Sequence, residues 1–142
     1  MITMAGDIRP ELSKKNKYWI SKNRFYELKY FCLQYPLWKA AYDALDGIYI
    51  RSYDLTATSK LGLPGDNVGH CVEERLRYFE RMQTIEQAAI DADPDLSSYI
   101  LKAVTEGLSY NHLKARLEIP CSRDTYYDRY RRFFWLLSKS RN

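Results

Sequence analysis

The chain has 142 residues, 22 Lys+Arg against 18 Asp+Glu, and 46% hydrophobic residues, which is one domain's worth of polypeptide with apolar material enough for a core and excludes wholesale disorder. The longest apolar run is the five residues Phe133–Leu137, far below the roughly 20 that a membrane span needs, and no secretory leader is expected at the start. With 6 Gly and 5 Pro the chain is neither collagenous nor of low complexity.

Residues 1–20 read as a mobile arm, with Lys14, Lys15 and Lys17 among few apolar residues. Ser21 suits the N-cap of a first helix, in which Phe25, Leu28, Tyr30, Phe31, Cys32 and Tyr35 recur at helical spacing. Pro36 disfavours helix at Tyr35 and fits the first position of a second helix. Leu37, Trp38, Ala41, Tyr42 and Leu45 give that helix its apolar face, and Gly47 is expected to stop it in a left-handed cap. The two form a helical hairpin. A loop is expected near 47–66, ending in the turn chemistry of Leu61-Gly62-Leu63-Pro64-Gly65-Asp66. Val68, Val72, Leu76, Phe79, Met82, Ile85, Ala89 and Ala92 then form one amphipathic stripe, predicting a long helix over 67–92 of roughly 39 Å. A helix this long packs on the core or pairs with another chain, so Val72, Leu76, Phe79 and Met82 are the candidate oligomer or partner interface, and a dimer is expected. Asp93-Pro94-Asp95 separates this helix from the next, whose inward residues are Leu96, Tyr99, Ile100, Ala103 and Val104 and whose stop is Gly107.

The charge is segregated. Residues 66–108 carry 4 basic and 9 acidic residues, whereas residues 109–142 carry 8 basic and 3 acidic, so the C-terminal segment is the one suited to a polyanion. There Ser109 caps a short helix containing Leu113 and Leu117. Pro120 interrupts it with Ile119 placed to plug the elbow, and Ser122 caps a last helix over Arg123 to about Ser138. With the helix before it this is the layout of a tri-helical helix-turn-helix unit, its turn about two residues longer than the compact form. Tyr126, Tyr130, Phe133 or Phe134, and Leu137 supply the last helix's buried face. Arg123, Tyr127, Arg129, Arg131 and Arg132 are left for solvent or DNA, and Ser122 and Thr125 stand at the helix start, where the dipole favours phosphate. These seven are the candidate DNA contacts, since arginine forks match guanine edges and phosphate oxygens. Asp124 and Asp128 dilute the positive face or pair locally with the arginines.

The run TEGLSYNHLKARLEIPCSRDTYYDRYRRFFWLLSK, Thr105 to Lys139, resembles the C-terminal helix-turn-helix of phage late-gene transcriptional regulators of the RinA and ArpU type, whose ends are similar to the promoter-reading region 4 of sigma factors. The resemblance implies a phage-derived regulator that reads duplex DNA with its C-terminal helix, in which Ser122, Arg123, Thr125, Arg129 and Arg132 are DNA contacts, with RNA polymerase or another host protein as a further partner. It also leaves a small terminase-like packaging subunit as an alternative.

A third reading, from another class, is a phage inhibitor of a host protein of the anti-defence or anti-CRISPR type, using the acidic middle and tyrosine anchors. An enzyme is not expected: His70 and His112 stand in no nucleophile–base spacing, no phosphate-cradling glycine loop occurs, and Asp91, Asp93 and Asp95 lack the pattern of a calcium loop. Cys32, Cys71 and Cys121 form no CxxC and read as reduced thiols, so no cofactor or metal is expected and the location is the host cytoplasm. The expectation is thus an all-α protein: an arm over 1–20, a helical scaffold over 21–92, and a helix-turn-helix unit over 93–142.

Overall fold

A computed structural model of the chain describes residues 15–54 and 65–141, the side chains of 46–54 and 65–68 apart. The fold is all-α. Six helices are present among the described residues: α1 (Lys22–Leu33), α2 (Tyr35–Asp54), α3 (Gly65–Ala92), α4 (Ser97–Glu106), α5 (Tyr110–Leu117) and α6 (Arg123–Ser140). None is long and apolar enough to cross a membrane.

The local signals act largely as their chemistry dictates. Ser21 caps α1, its hydroxyl accepting the Arg24 N–H at 3.2 Å. Gly107 ends α4 in the left-handed region at φ 73°, where the Ala103 carbonyl accepts the N–H groups of Gly107 (2.8 Å) and Leu108 (3.0 Å). Gly47 does not stop the second helix, which runs on to Asp54. A glycine within a helix costs only about 1 kcal/mol relative to alanine, so it marks a stop only where the following chain turns away. The part of the expected loop at 55–64 lies outside the described residues, as does the expected arm over 1–14.

The chain divides into two compact units, Met1–Gln34 with Thr84–Asn142, and Tyr35–Gln83. The first helix thus falls in the same compact unit as the C-terminal helices. In the larger unit α1 packs against α4 and α6, and α4 against α5. Its core holds Phe25, Leu28, Ile85, Ile100, Leu113, Ile119, Tyr126, Phe133, Phe134 and Leu137, all essentially without solvent exposure. Each such side chain contributes about 1.5–3 kcal/mol over its exposed state. The rings interlock edge-to-face: Phe25 lies 5.0 Å from Phe134, which lies 5.0 Å from Tyr130 and 4.9 Å from Phe133. Tyr18 and Ile20, expected in the arm, are buried here instead, with Tyr18 5.4 Å from Trp135.

Polar ties close the same unit. Arg24 donates to the Ser138 hydroxyl (3.0 Å) and carbonyl (2.9 Å), satisfying an acceptor at the end of α6. The Arg141 guanidinium lies 3.6 Å over the Phe31 ring. The smaller unit joins α2 to the first part of α3: Arg75 stacks 3.8 Å over Tyr42, and Tyr42 lies 6.1 Å from Phe79.

Candidate nucleic-acid interface

The elbow between α5 and α6 is built by residues 118–122. Glu118 takes a left-handed conformation at φ 52°, and the Ile119 N–H donates back to the Leu113 carbonyl at 3.2 Å. The helix thus ends at Leu117, three residues before Pro120, by backbone reversal at Glu118, and Ile119 is driven fully into the core. The Tyr110 hydroxyl donates to the Cys121 carbonyl at 2.7 Å, fixing the far side of the turn to the start of α5. Rings join the helices as well, Tyr110 standing 5.5 Å from Tyr126 and 6.3 Å from Tyr127. The sequence places a proline, a plug and two serine caps here, and together they hold the beginning of α6 against α5.

At that beginning the Ser122 hydroxyl accepts the Thr125 N–H at 3.2 Å and donates to Thr125 Oγ1 at 3.0 Å. Both hydroxyls are engaged in the cap, yet the Thr125 hydroxyl retains its own hydrogen for an external acceptor. Arg123 is exposed and doubly braced: its guanidinium lies 5.4 Å over the Tyr127 ring and donates to Asn111 Oδ1 of α5 at 3.3 Å. Around it α5 exposes Asn111, His112, Lys114 and Arg116. None of these four is among the DNA contacts expected from the sequence, although their positions flanking the apolar Leu113 and Leu117 mark them as the outer face of that helix.

Three of the expected DNA contacts stand elsewhere. Tyr127 is buried, 3% exposed, packed on Tyr110, Tyr126 and Tyr130. The aromatic face of α6 is broader than one stripe, so it takes in the position next to Tyr126. Arg129 is held by carboxylates of its own chain: Nε meets Asp93 Oδ2 at 3.0 Å and Nη1 meets Asp128. The Asp93 hydrogen bond, aided by the two negative charges, raises its pKa above the ordinary guanidinium value. Asp93 in turn accepts the N–H groups of Asp95 (3.0 Å) and Leu96 (3.3 Å), so one carboxylate shapes the α3–α4 corner and anchors α6 to it. Arg132 donates to the Tyr18 hydroxyl at 3.0 Å and to the Asp91 carbonyl at 3.4 Å, a cation at the C-terminal turn of α3 where the dipole favours it. Its hydrogen bond draws the Tyr18 phenol below the ordinary tyrosine pKa of 10.0, against the opposing effect of burial. Arg129 and Arg132 are therefore clasps of the fold. Arg131 is half-buried on α6.

The candidate partner surface on α3 divides in the same way. Val72, Leu76 and Phe79 are exposed at 45%, 53% and 41%, while Met82 is buried and unavailable to a partner. The single stripe read from the sequence serves an exposed face in its first half and a core in its second, Ile85, Ala89 and Ala92 all being buried. Among the described residues no group of three His, Cys, Asp or Glu side chains could hold a metal ion.

No protein-family model, curated protein or solved structure matches this chain.

Proposed function

We propose that the protein is a DNA-binding transcriptional regulator of the phage late-gene kind, meeting duplex DNA with the start of α6 and the outer face of α5. The observation that carries the reading is the braced, outward Arg123 at a capped helix start, tied to Asn111 and lying beside an α5 that exposes Lys114 and Arg116. A major groove admits one helix, and a helix start brings both a guanidinium fork and a favourable dipole to it. Arg123, Lys114, Arg116 and Arg131 supply phosphate or base contacts, and Thr125 and Asn111 supply neutral hydrogen bonds. Arg129 and Arg132 contribute by holding α6 in place. The resemblance of Thr105–Lys139 to the late-gene regulators supports the same reading.

The test compares two variant pairs by mobility shift on duplex DNA. Lys114→Ala with Arg123→Ala retains the thermal midpoint and loses DNA affinity, by about 1–3 kcal/mol for a base-reading arginine. Arg129→Ala with Arg132→Ala lowers the thermal midpoint. Undiminished DNA binding by the first pair, with folding intact, defeats the reading.

A further inference from the structure

In the larger unit, Tyr18 meets Trp135 of α6 with 5.4 Å between ring centres, and cations cover both rings. The Lys17 ammonium lies 5.0 Å from the centre of the Tyr18 ring and the Arg132 guanidinium 5.8 Å from it. The Lys139 ammonium lies 3.6 Å over Trp135. Lys17 and Lys139 are exposed, and neither is paired with a carboxylate among the described residues. The acids on this side make their own bonds within the chain: Asp93 and Asp128 hold Arg129, and Asp91 accepts from the Gln87 side chain at 2.9 Å. An ammonium held over a ring keeps N–H donors for an external acceptor, so the two rings position two cations without neutralising them.

The arrangement fits the sugar–phosphate backbone of a duplex. Tyr18 is buried and Trp135 half-buried beneath its ammonium. No ring of this surface stands out to enter a bilayer, as an interfacial helix requires, or to stack on an unpaired base. What faces outward is positive charge, which phosphates meet without regard to sequence. Position favours the same partner. Arg131, Trp135 and Lys139 recur every fourth residue on α6 and share one face, so the surface carries on from an arginine already assigned to DNA toward the end of the helix. From Arg123 to Lys139 the helix runs roughly 24 Å, the length of about seven base pairs at 3.4 Å each.

We propose that Lys17 and Lys139 form a second phosphate-binding surface, which holds the DNA backbone where it runs on past the start of α6. The proposal rests on the DNA reading above and adds to it a sequence-independent contact built from the N-terminal segment and the end of α6.

The test measures binding of the full chain to a duplex of about 20 base pairs, long enough to pass both surfaces, by fluorescence anisotropy at several salt concentrations. Lys17→Gln with Lys139→Gln is expected to weaken binding about tenfold at low salt and to make the salt slope shallower by about two contacts, equally for duplexes of unrelated sequence. Lys17→Arg with Lys139→Arg is expected to restore both. Lys114→Ala with Arg123→Ala reports on the DNA reading itself. Loss of binding in that pair, with affinity and slope unchanged in the glutamine pair, overturns this proposal and leaves the DNA reading standing; an unaltered chain that does not bind duplex overturns both. Vesicles of phosphatidylcholine with and without phosphatidylserine serve as the lipid arm. Charge-dependent vesicle binding that the glutamine pair abolishes, with DNA affinity unchanged, assigns the surface to lipid and likewise overturns the proposal. If the glutamine pair does not fold, Lys17→Gln alone, which lies outside the helices, decides by a slope change of about one contact.

Discussion

Arg129 on α6 and Asp93 beyond the end of α3 meet at 3.0 Å, thirty-six residues apart in the chain. The pair converts what reads as a DNA-facing arginine into a joint between the two ends of the larger unit. Its side chains retain 36% and 18% exposure, so solvent screens part of the attraction. Removing Asp93 also frees the amides of Asp95 and Leu96. Asp93→Ala is expected to cost about 1–3 kcal/mol, and Arg129→Ala less, about 1 kcal/mol. A double-mutant cycle by chemical denaturation checks this, with a nonadditive term for the pair as the expected result.

Tyr18 carries a pH signature. Because the Arg132 hydrogen bond favours the phenolate, the folded pKa lies below the ordinary 10.0. In the window between that lowered value and the unfolded one, the unfolded chain binds more protons, so this group's stabilising contribution grows as pH rises and is absent below the folded pKa. The difference in ultraviolet phenolate titration between the unaltered chain and Tyr18→Phe is expected to show one tyrosine ionising early. In an Arg132→Ala background the same difference is expected to move to higher pH.

The cysteines separate by burial. Cys32 is fully buried in the core, and desolvation pushes its thiol far above the ordinary range, whereas Cys71 and Cys121 are partly accessible. Burial also raises the Cys121 thiol, so its reaction is slowed at neutral pH. A disulfide reagent applied to the folded chain is expected to label Cys71 and Cys121, and to reach Cys32 only after denaturation. Labelling of all three in the native protein contradicts the burial assigned to α1.

Two backbone positions test the frame of the helix-turn-helix segment. Ser122→Ala removes the acceptor of the Thr125 N–H and is expected to destabilise by about 1 kcal/mol. Gly107→Ala imposes a left-handed conformation on a residue with a Cβ; the added atom has room, so the cost of about 1–2 kcal/mol is conformational. Gly107→Asn is expected to cost less, since asparagine tolerates that region. Thermal midpoints measure both.

What was legible in the sequence was local. Ser21, Ser109 and Ser122 cap helices and Gly107 ends one because a hydroxyl or a missing Cβ acts within a few residues. Tyr126, Tyr130, Phe133, Phe134 and Leu137 lie in the core because helical periodicity places them on one face. What was not legible depended on partners distant in the chain. Nothing near Arg129 or Arg132 announces Asp93 or Tyr18, and no spacing rule tells Met82, which is buried, from Phe79 on the same stripe. Asn111, Lys114 and Arg116 carry no pattern of their own in the sequence, being exposed polar residues on a short helix; only the fold sets them beside Arg123, which bonds to Asn111.

If cations at the start of α6 and on α5 meet a nucleic-acid backbone, as proposed, the affinity for duplex DNA measured across a series of salt concentrations is set by the phosphates they neutralise. Log affinity is then expected to fall linearly with log salt, with a slope of about −0.9 for each phosphate neutralised, and Arg123→Ala is expected to make the slope shallower by about one contact. Affinity independent of salt, or a slope unchanged by that substitution in a folded chain, would contradict the proposal.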